Sequence, residues 1–108
     1  MIRGTTPTIT FRLPVLPSQL DACYVSFYQE VYENYTYRNR RYVEKNLADC
    51  ELDDEEQTIT ITLSQSDTLA FDASKPVLYQ LRFRVGNTAY ATTMATFPIG
   101  DVLKAGEI

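Results

Sequence analysis

The chain has 108 residues, of which 44% are hydrophobic and 22% charged, and a formal net charge of -4. These values predict one globular domain and argue against general binding to nucleic acid or anionic membranes. Histidine is absent, which excludes serine–histidine and cysteine–histidine catalysis and removes the commonest zinc ligand. Neither a secretory signal nor a long apolar run is visible, so we expect a cytoplasmically made chain without membrane spans.

Polar and apolar residues alternate through the first half of the chain, and this alternation predicts β-strands. The first predicted strand covers residues 8–13 and ends where two prolines follow. The second covers 22–29 and carries apolar atoms on both faces, which is typical of a central strand. A third covers 58–63, after an acidic stretch at 49–56. This stretch predicts a turn, either alone or with Cys50 and Leu52 paired as a short strand. The residues expected to face the core are Ile9, Phe11, Leu13, Cys23, Val25, Phe27, Ile59, Ile61 and Leu63.

The next predicted element is a single helical turn near residues 64–69. Ser64 stands three residues before Asp67, an arrangement that resembles a capping box. Leu69 and Phe71 follow and are expected to be buried.

The longest predicted strand is 77–85, and Gly86-Asn87 after it predicts a two-residue hairpin turn. The register that follows sets Phe83 opposite Tyr90 and Tyr79 opposite Met94. The odd-numbered residues of this strand are then expected to face the core, and residues 99–108 to form a tail with frayed last residues.

These elements predict one all-β domain over residues 1–108. Short strands with turns every 8–12 residues favour an antiparallel β-sandwich of immunoglobulin-like size, with about six to eight strands. A small β-barrel is the alternative architecture.

The acidic residues and the two cysteines are the candidates for a catalytic or metal site. The acidic stretch lacks the glycine and glutamate placement of an EF-hand, so we interpret it as a solvated turn. Nothing selects a pair of carboxylates for hydrolysis, although such chemistry needs no histidine. Cys23 and Cys50 are expected to be free thiols, with a disulfide between them as the other possibility. We therefore expect no catalytic residue, no cofactor and no metal.

A basic, tyrosine-rich segment is the first candidate interaction surface. Residues 35–37 and 41–45 read as two strand arms around residues 38–40. Two interpretations stay open: an edge hairpin, whose basic residues pair with the acidic stretch 49–56, or a binding site for a protein, sugar or other ligand. The candidate surface residues here are Tyr35, Tyr37, Arg38, Arg40 and Tyr42.

Arg82 and Arg84 form the second candidate surface. The predicted register sets them opposite Ala91 and Ala89, on the face of the long strand that points away from the core. They belong either to a solvated face or to a subunit contact, where small neighbours let another chain approach.

The opening residues 1–14, MIRGTTPTITFRLP, resemble the start of a family of small uncharacterised proteins encoded by tailed phages and prophages of Gram-positive bacteria. Further matches lie at 49–50, 63–71, 80–82 and 102–108, whereas the tyrosine-rich middle departs from the family pattern. The resemblance implies a phage structural or tail-accessory protein, located in the virion or in the cytoplasm of the bacterial host. It implies no enzyme and supplies no functional residue.

The predicted function is therefore contact with other phage structural proteins or with a second copy of the chain, without nucleic-acid or membrane partners. A carbohydrate- or ligand-binding module that uses the tyrosine-rich hairpin is the alternative.

Overall fold

The computed structural model describes residues 1–33, 37–73 and 75–108, and the side chains of residues 31–40 lie outside this description. It confirms an all-β chain with one short helix, α1 (Gln65–Leu69). The strands are β1 (Thr8–Arg12), β2 (Ala22–Glu33), β3 (Tyr37–Asn46), β4 (Glu51–Asp53), β5 (Thr58–Thr62), β6 (Val77–Val85), β7 (Thr88–Ala91) and β8 (Ala95–Phe97).

The strands form two antiparallel sheets, which confirms the sandwich. A three-stranded sheet has the order β1-β5-β4, and a five-stranded sheet has the order β3-β2-β6-β7, with β8 also paired to β6. Among the described strands no pairing joins one sheet to the other, so the architecture is not a barrel.

The core lies between the sheets, and its members follow the predicted alternation. Most predicted core residues are buried, whereas five are half-buried, namely Ile9, Phe11, Leu69, Tyr79 and Val85. All of these except Leu69 pack against the buried cluster. Burial on one face is the reason for the period of two, because successive side chains of a strand point to opposite sides of its sheet. Four aromatic rings meet across the gap with centroids 5.5 to 6.3 Å apart, namely Phe11, Phe27, Tyr79 and Phe97.

The C-terminal hairpin follows the predicted register at its turn and departs from it further along. Phe83 lies opposite Tyr90 as predicted, but Tyr79 pairs with Ala95 and not with Met94. One extra residue at positions 92–94 therefore shifts β8, in the manner of a β-bulge. The Thr92 hydroxyl accepts a hydrogen bond from the Leu81 amide at 3.1 Å. The shift turns Phe97 towards the core and leaves Met94 68% exposed.

Two expectations for the tyrosine-rich segment are wrong. Residues 38–40 do not form a turn, since β3 runs through them and pairs with β2 from Tyr37–Glu33 to Asn46–Tyr24. The basic segment and the acidic stretch 49–56 also do not pair, because β3 and β4 belong to different sheets. β3 lies at the edge of its sheet, and an edge strand tolerates charged residues. The charges at residues 38–40 were therefore compatible with a strand as well as with a turn.

Helix α1 begins with the predicted capping box. The Ser64 hydroxyl accepts from the Asp67 amide at 3.0 Å, and the Asp67 carboxylate accepts from the Ser64 amide at 2.8 Å. Lys45 adds an ion pair to the same carboxylate at 2.7 Å. This inward-pointing lysine ties the β2–β3 hairpin to the helix.

Replacing Asp67 by asparagine is expected to lower the free energy of unfolding at pH 7 by about 1–2 kcal/mol. Burial raises the pKa of the Asp67 carboxyl, but hydrogen bonds from Lys45 and Ser64 outweigh it and hold that pKa below its usual value. A carboxyl with a lowered folded pKa stabilises above its unfolded pKa of about 4, and this stability is lost as the pH falls through the folded pKa.

Urea unfolding at pH 7 and about pH 3 measures the effect, and the gap between wild type and D67N should shrink at the lower pH. Glu51→Gln is the control, because that carboxylate is exposed. An equal gap at both pH values would contradict the assignment.

The two ends of the described chain meet beside α1. Arg3 donates to Asp101 at 2.8 Å and to the Leu69 carbonyl at 3.1 Å. Ile108 was expected to fray, but its backbone N–H and C=O both bond to the Gln65 amide group, at 2.8 and 3.0 Å. Gly4 turns the chain with φ +77°, a conformation that favours glycine.

Candidate interaction surface

The outward side of the five-stranded sheet brings several of the predicted residues together. Register pairs Tyr24 with Arg82 and Tyr28 with both Leu78 and Tyr42, so side chains from three strands share this side. We call it the outer face. Its described members are Ala22, Tyr24, Ser26, Tyr28, Tyr42, Glu44, Leu78, Gln80, Arg82, Arg84, Ala89 and Ala91.

The outer face is open to solvent. Tyr24 is 47% exposed and Tyr42 56% exposed, although Tyr24 belongs to a central strand. The apolar atoms on both faces of β2 predicted a central strand correctly, but no element of the described residues covers the second face. Exposed aromatic residues on a sheet without a covering layer are typical of an interaction surface.

The tyrosine hydroxyls on this face are held by hydrogen bonds. Tyr42 Oη donates to the Glu44 carboxylate at 2.9 Å and lies 3.0 Å from Ser26 Oγ. Tyr28 Oη donates to the Glu30 carboxylate at 2.8 Å. These bonds leave the rings to present fixed apolar surfaces, which limits the side-chain entropy lost on binding.

Two shallow depressions lie on the outer face, and Arg82 lines both. The larger, of about 420 Å³, is lined by Ser26, Tyr28, Tyr42, Leu78, Tyr79, Gln80, Arg82 and Met94. The smaller, of about 170 Å³, is lined by Ala22, Tyr24, Arg82, Phe83, Arg84, Ala89 and Tyr90. The small side chains of Ala22 and Ala89 line the smaller depression together with Arg82 and Arg84.

The two arginines differ in whether their guanidinium groups already have a hydrogen-bond partner. Arg84 donates to the Gly86 carbonyl at 2.7 Å, and the nearby Asp21 carboxylate is taken by the Gly86 amide at 2.6 Å. The Arg82 side chain is exposed, and it makes no hydrogen bond or ion pair with a residue that the structure describes. Its guanidinium is therefore available to a carboxylate from outside the chain.

The edge of the same sheet is open along β7. All four residues of β7 are exposed. In a two-residue hairpin Val85 and Thr88 exchange backbone hydrogen bonds, so the next outward-facing backbone groups belong to Ala89 and Ala91. This edge carries neither charge nor proline, the devices that usually protect an edge strand.

The structure unites part of the predicted surface. Tyr42 of the first candidate surface shares the outer face with Arg82 and Arg84 of the second. Tyr35 lies outside the described residues. For Tyr37, Arg38 and Arg40 only the backbone position in β3 is described, opposite Glu33, Tyr32 and Glu30.

Sequence reasoning missed three contributors to this surface, namely Tyr24, Tyr28 and Met94. The alternation of β2 placed both tyrosines away from the core, but it did not show whether a second layer covers that face. Met94 could not be found, because its exposure depends on the bulge after Thr92.

The acidic stretch 49–56 contains the short strand β4, and only its last residues form the predicted turn. The Asp54 carboxylate accepts from the Ser18 amide at 2.9 Å, and hydrogen bonds from Ser18 lower the pKa of this carboxyl. Asp53 accepts from the Glu56 amide at 3.2 Å. Among the described residues no three His, Cys, Asp or Glu side chains come together as a metal-binding group. No helix in the described part is long and apolar enough to cross a membrane.

The fold and this surface define the chain as a small antiparallel β-sandwich with one uncovered, tyrosine- and arginine-bearing sheet face. No protein-family model matches the sequence, and no curated protein matches it.

Proposed function

We propose that the chain is a non-enzymatic structural or tail-accessory protein of a phage or prophage, which binds another structural protein of the particle through its outer face. It resides in the virion, and before assembly in the cytoplasm of the bacterial host. The observation that carries this proposal is Arg82 on a sheet face that no described element covers. Its exposed side chain has no partner among the described residues, lies opposite Tyr24 and lines one depression together with Tyr42.

The chemistry of this face favours a protein that presents carboxylates. Tyrosine and arginine are the residues most enriched among those that dominate binding energy at protein interfaces. A carboxylate can bind the Arg82 guanidinium through two hydrogen bonds, while the rings of Tyr24 and Tyr42 on the same face bury apolar area. The open β7 edge lies beside Arg82 and Arg84, so a partner strand added there would contact both arginines.

Purified particles from an induced culture of the encoding strain test this proposal. Mass spectrometry should detect the chain in the particle, and Arg82→Glu should reduce its amount by about tenfold or more, because the partner's carboxylates then meet a like charge. Arg12→Glu is the matched control, since Arg12 is an exposed strand arginine on the other sheet. Absence of the wild-type chain from particles would contradict the proposal, and equal incorporation of R82E would contradict the assigned face.

The partner bound by the outer face could also be a second copy of the chain, which is self-association. Light scattering over a concentration series distinguishes it, because a self-associating chain increases in mean mass with concentration. In that case R82E should remain monomeric and R12E should behave like wild type.

The larger depression supports a second candidate function, the binding of a carbohydrate or another small ligand. Its volume of about 420 Å³ and its tyrosine lining suit a sugar ring stacked on Tyr42. On a glycan array the signal should be lost in Tyr42→Ala and kept in Tyr24→Ala, which lies outside this depression. A wild-type chain that binds no glycan rules this candidate out.

A further inference from the structure

The two cysteines lie far apart in sequence but meet in the fold. Cys23 is part of β2 in the five-stranded sheet, and its side chain is 1% exposed. Cys50 directly precedes β4 of the three-stranded sheet and packs, half-buried, against the same core. Each thiol is the largest influence on the pKa of the other through a hydrogen bond between them.

A capped turn brings Cys50 back to Cys23. After Asn46, which pairs with Tyr24 beside Cys23, the chain forms a 3₁₀ turn over residues 47–49. The Asn46 side chain accepts from the Ala48 amide at 3.0 Å, and the Asp49 carboxylate accepts from the Asn46 amide at 2.9 Å. Cys50 Sγ then lies 3.3 Å from the Asn46 carbonyl. These hydrogen bonds of the turn therefore fix the position of Cys50.

We propose that Cys23 and Cys50 form an oxidisable dithiol site that reacts with low-molecular-weight disulfides, such as glutathione disulfide, and closes into a disulfide joining the two sheets. This inference is independent of the proposed function. A depression of about 260 Å³ lies at Cys23 and at the turn that leads to Cys50, and its lining includes Asp21, Cys23, Tyr24, Asn46 and Leu47.

The two thiols have different roles in this reaction. Cys50 is the more accessible, and the hydrogen bond from Cys23 lowers its pKa, so it supplies the attacking thiolate. The hydrogen bond to Cys50 and burial both raise the pKa of Cys23, which keeps its proton at first. Once Cys50 is in a mixed disulfide, its charge and its hydrogen bond no longer oppose ionisation of Cys23.

The reaction balances in two exchanges. The Cys50 thiolate attacks one sulfur of glutathione disulfide, forms a Cys50–glutathione bond and releases one glutathione thiolate. Cys23 gives its proton to solvent, attacks the Cys50 sulfur and releases the second glutathione. Two protein thiols are oxidised to one disulfide, and one glutathione disulfide is reduced to two thiols.

Incubation of the reduced chain with glutathione disulfide, followed by acid quenching and alkylation, tests the proposal. Wild type should lose both alkylatable thiols, and its melting temperature should rise by about 10 °C, because the cross-link restricts the unfolded chain. Dithiothreitol should reverse both changes. Two alkylatable thiols after oxidation, or a disulfide-linked dimer, would overturn the proposal.

Single variants separate the roles of the thiols. Cys23→Ala should stop at a glutathione adduct on Cys50, whereas Cys50→Ala should gain no adduct, since Cys23 is buried. Cys23→Ser serves as a second variant should the alanine not fold. Equal adduct formation on C23A and C50A would contradict the assignment of Cys50 as the attacking thiol.

Discussion

Replacing Gln29 by leucine is expected to lower the free energy of unfolding by about 3 kcal/mol, although leucine has nearly the same size. Gln29 is 1% exposed on the inner side of β2. Its amide nitrogen donates to the Asp72 carbonyl at 2.5 Å and to the Lys75 carbonyl at 2.7 Å. Its amide oxygen accepts from the Asp72 amide at 2.7 Å. Leucine removes three hydrogen bonds between a buried side chain and the backbone of residues 72 and 75, and it offers no polar atom in return.

Urea unfolding at pH 7 measures this effect, with Gln80→Leu as the matched control. Gln80 lies on the neighbouring strand β6 and makes a side-chain hydrogen bond to the Thr92 carbonyl at 2.9 Å, in a more exposed setting. The control should cost less than about 1 kcal/mol, because water can replace a bond near the surface. Equal losses in Q29L and Q80L would contradict the role given to Gln29.

The strands were predictable wherever one face is buried and the other is not. The bounds of β6 match the predicted 77–85, because apolar and polar residues alternate from Tyr79 to Val85. A single register then followed from Gly86, whose φ of +57° favours glycine in the turn. Burial on one face makes the pattern unambiguous, since a slip by one residue would expose the whole buried set.

The bulge after β7 was not predictable from the sequence. Residues 92–97 are threonine, methionine, alanine and phenylalanine, and either register places one large apolar residue inward. The choice depends on the space between the sheets, where Phe97 contacts Phe27 and Tyr79. A local pattern carries no information about that space.

The extent of the outer face was also hidden in the sequence. Tyr24 and Tyr28 occupy positions that fit either a buried or an exposed face, because tyrosine combines an apolar ring with a polar hydroxyl. What decides their exposure is that the structure covers only one side of this five-stranded sheet. Which residues of a strand share a face was predictable, but whether another layer covers that face was not.

The same reasoning explains why polar residues in the core went unnoticed. Gln29 and Thr68 are the buried polar side chains among the described residues, and neither stands in a recognisable motif. Apart from the Gln65 carbonyl near Thr68, the partners of their side chains lie more than 40 residues away. Only the tertiary fold reveals that these residues satisfy backbone groups of irregular segments.

Thr68→Val is the second large effect that we expect, a loss of about 2–3 kcal/mol in the free energy of unfolding. Thr68 is 0% exposed in α1. Its hydroxyl donates to the Thr5 carbonyl at 2.9 Å and accepts from the Gly4 amide at 2.9 Å. Valine keeps the shape but leaves both backbone groups without this partner. The segment before β1 then loses its main polar attachment to the helix.

Hydrogen exchange separates this local effect from a general loss of packing. In T68V the Gly4 amide should exchange faster by a larger factor than the amides of β2 and β6, because the N-terminal segment opens without global unfolding. Thr96→Val is the matched control on an exposed strand position, and it should leave both the stability and the Gly4 amide nearly unchanged. A uniform increase in exchange across β2, β6 and Gly4 would show that Thr68 supports the core as a whole. In that case the first residues of the chain would open only together with the sandwich.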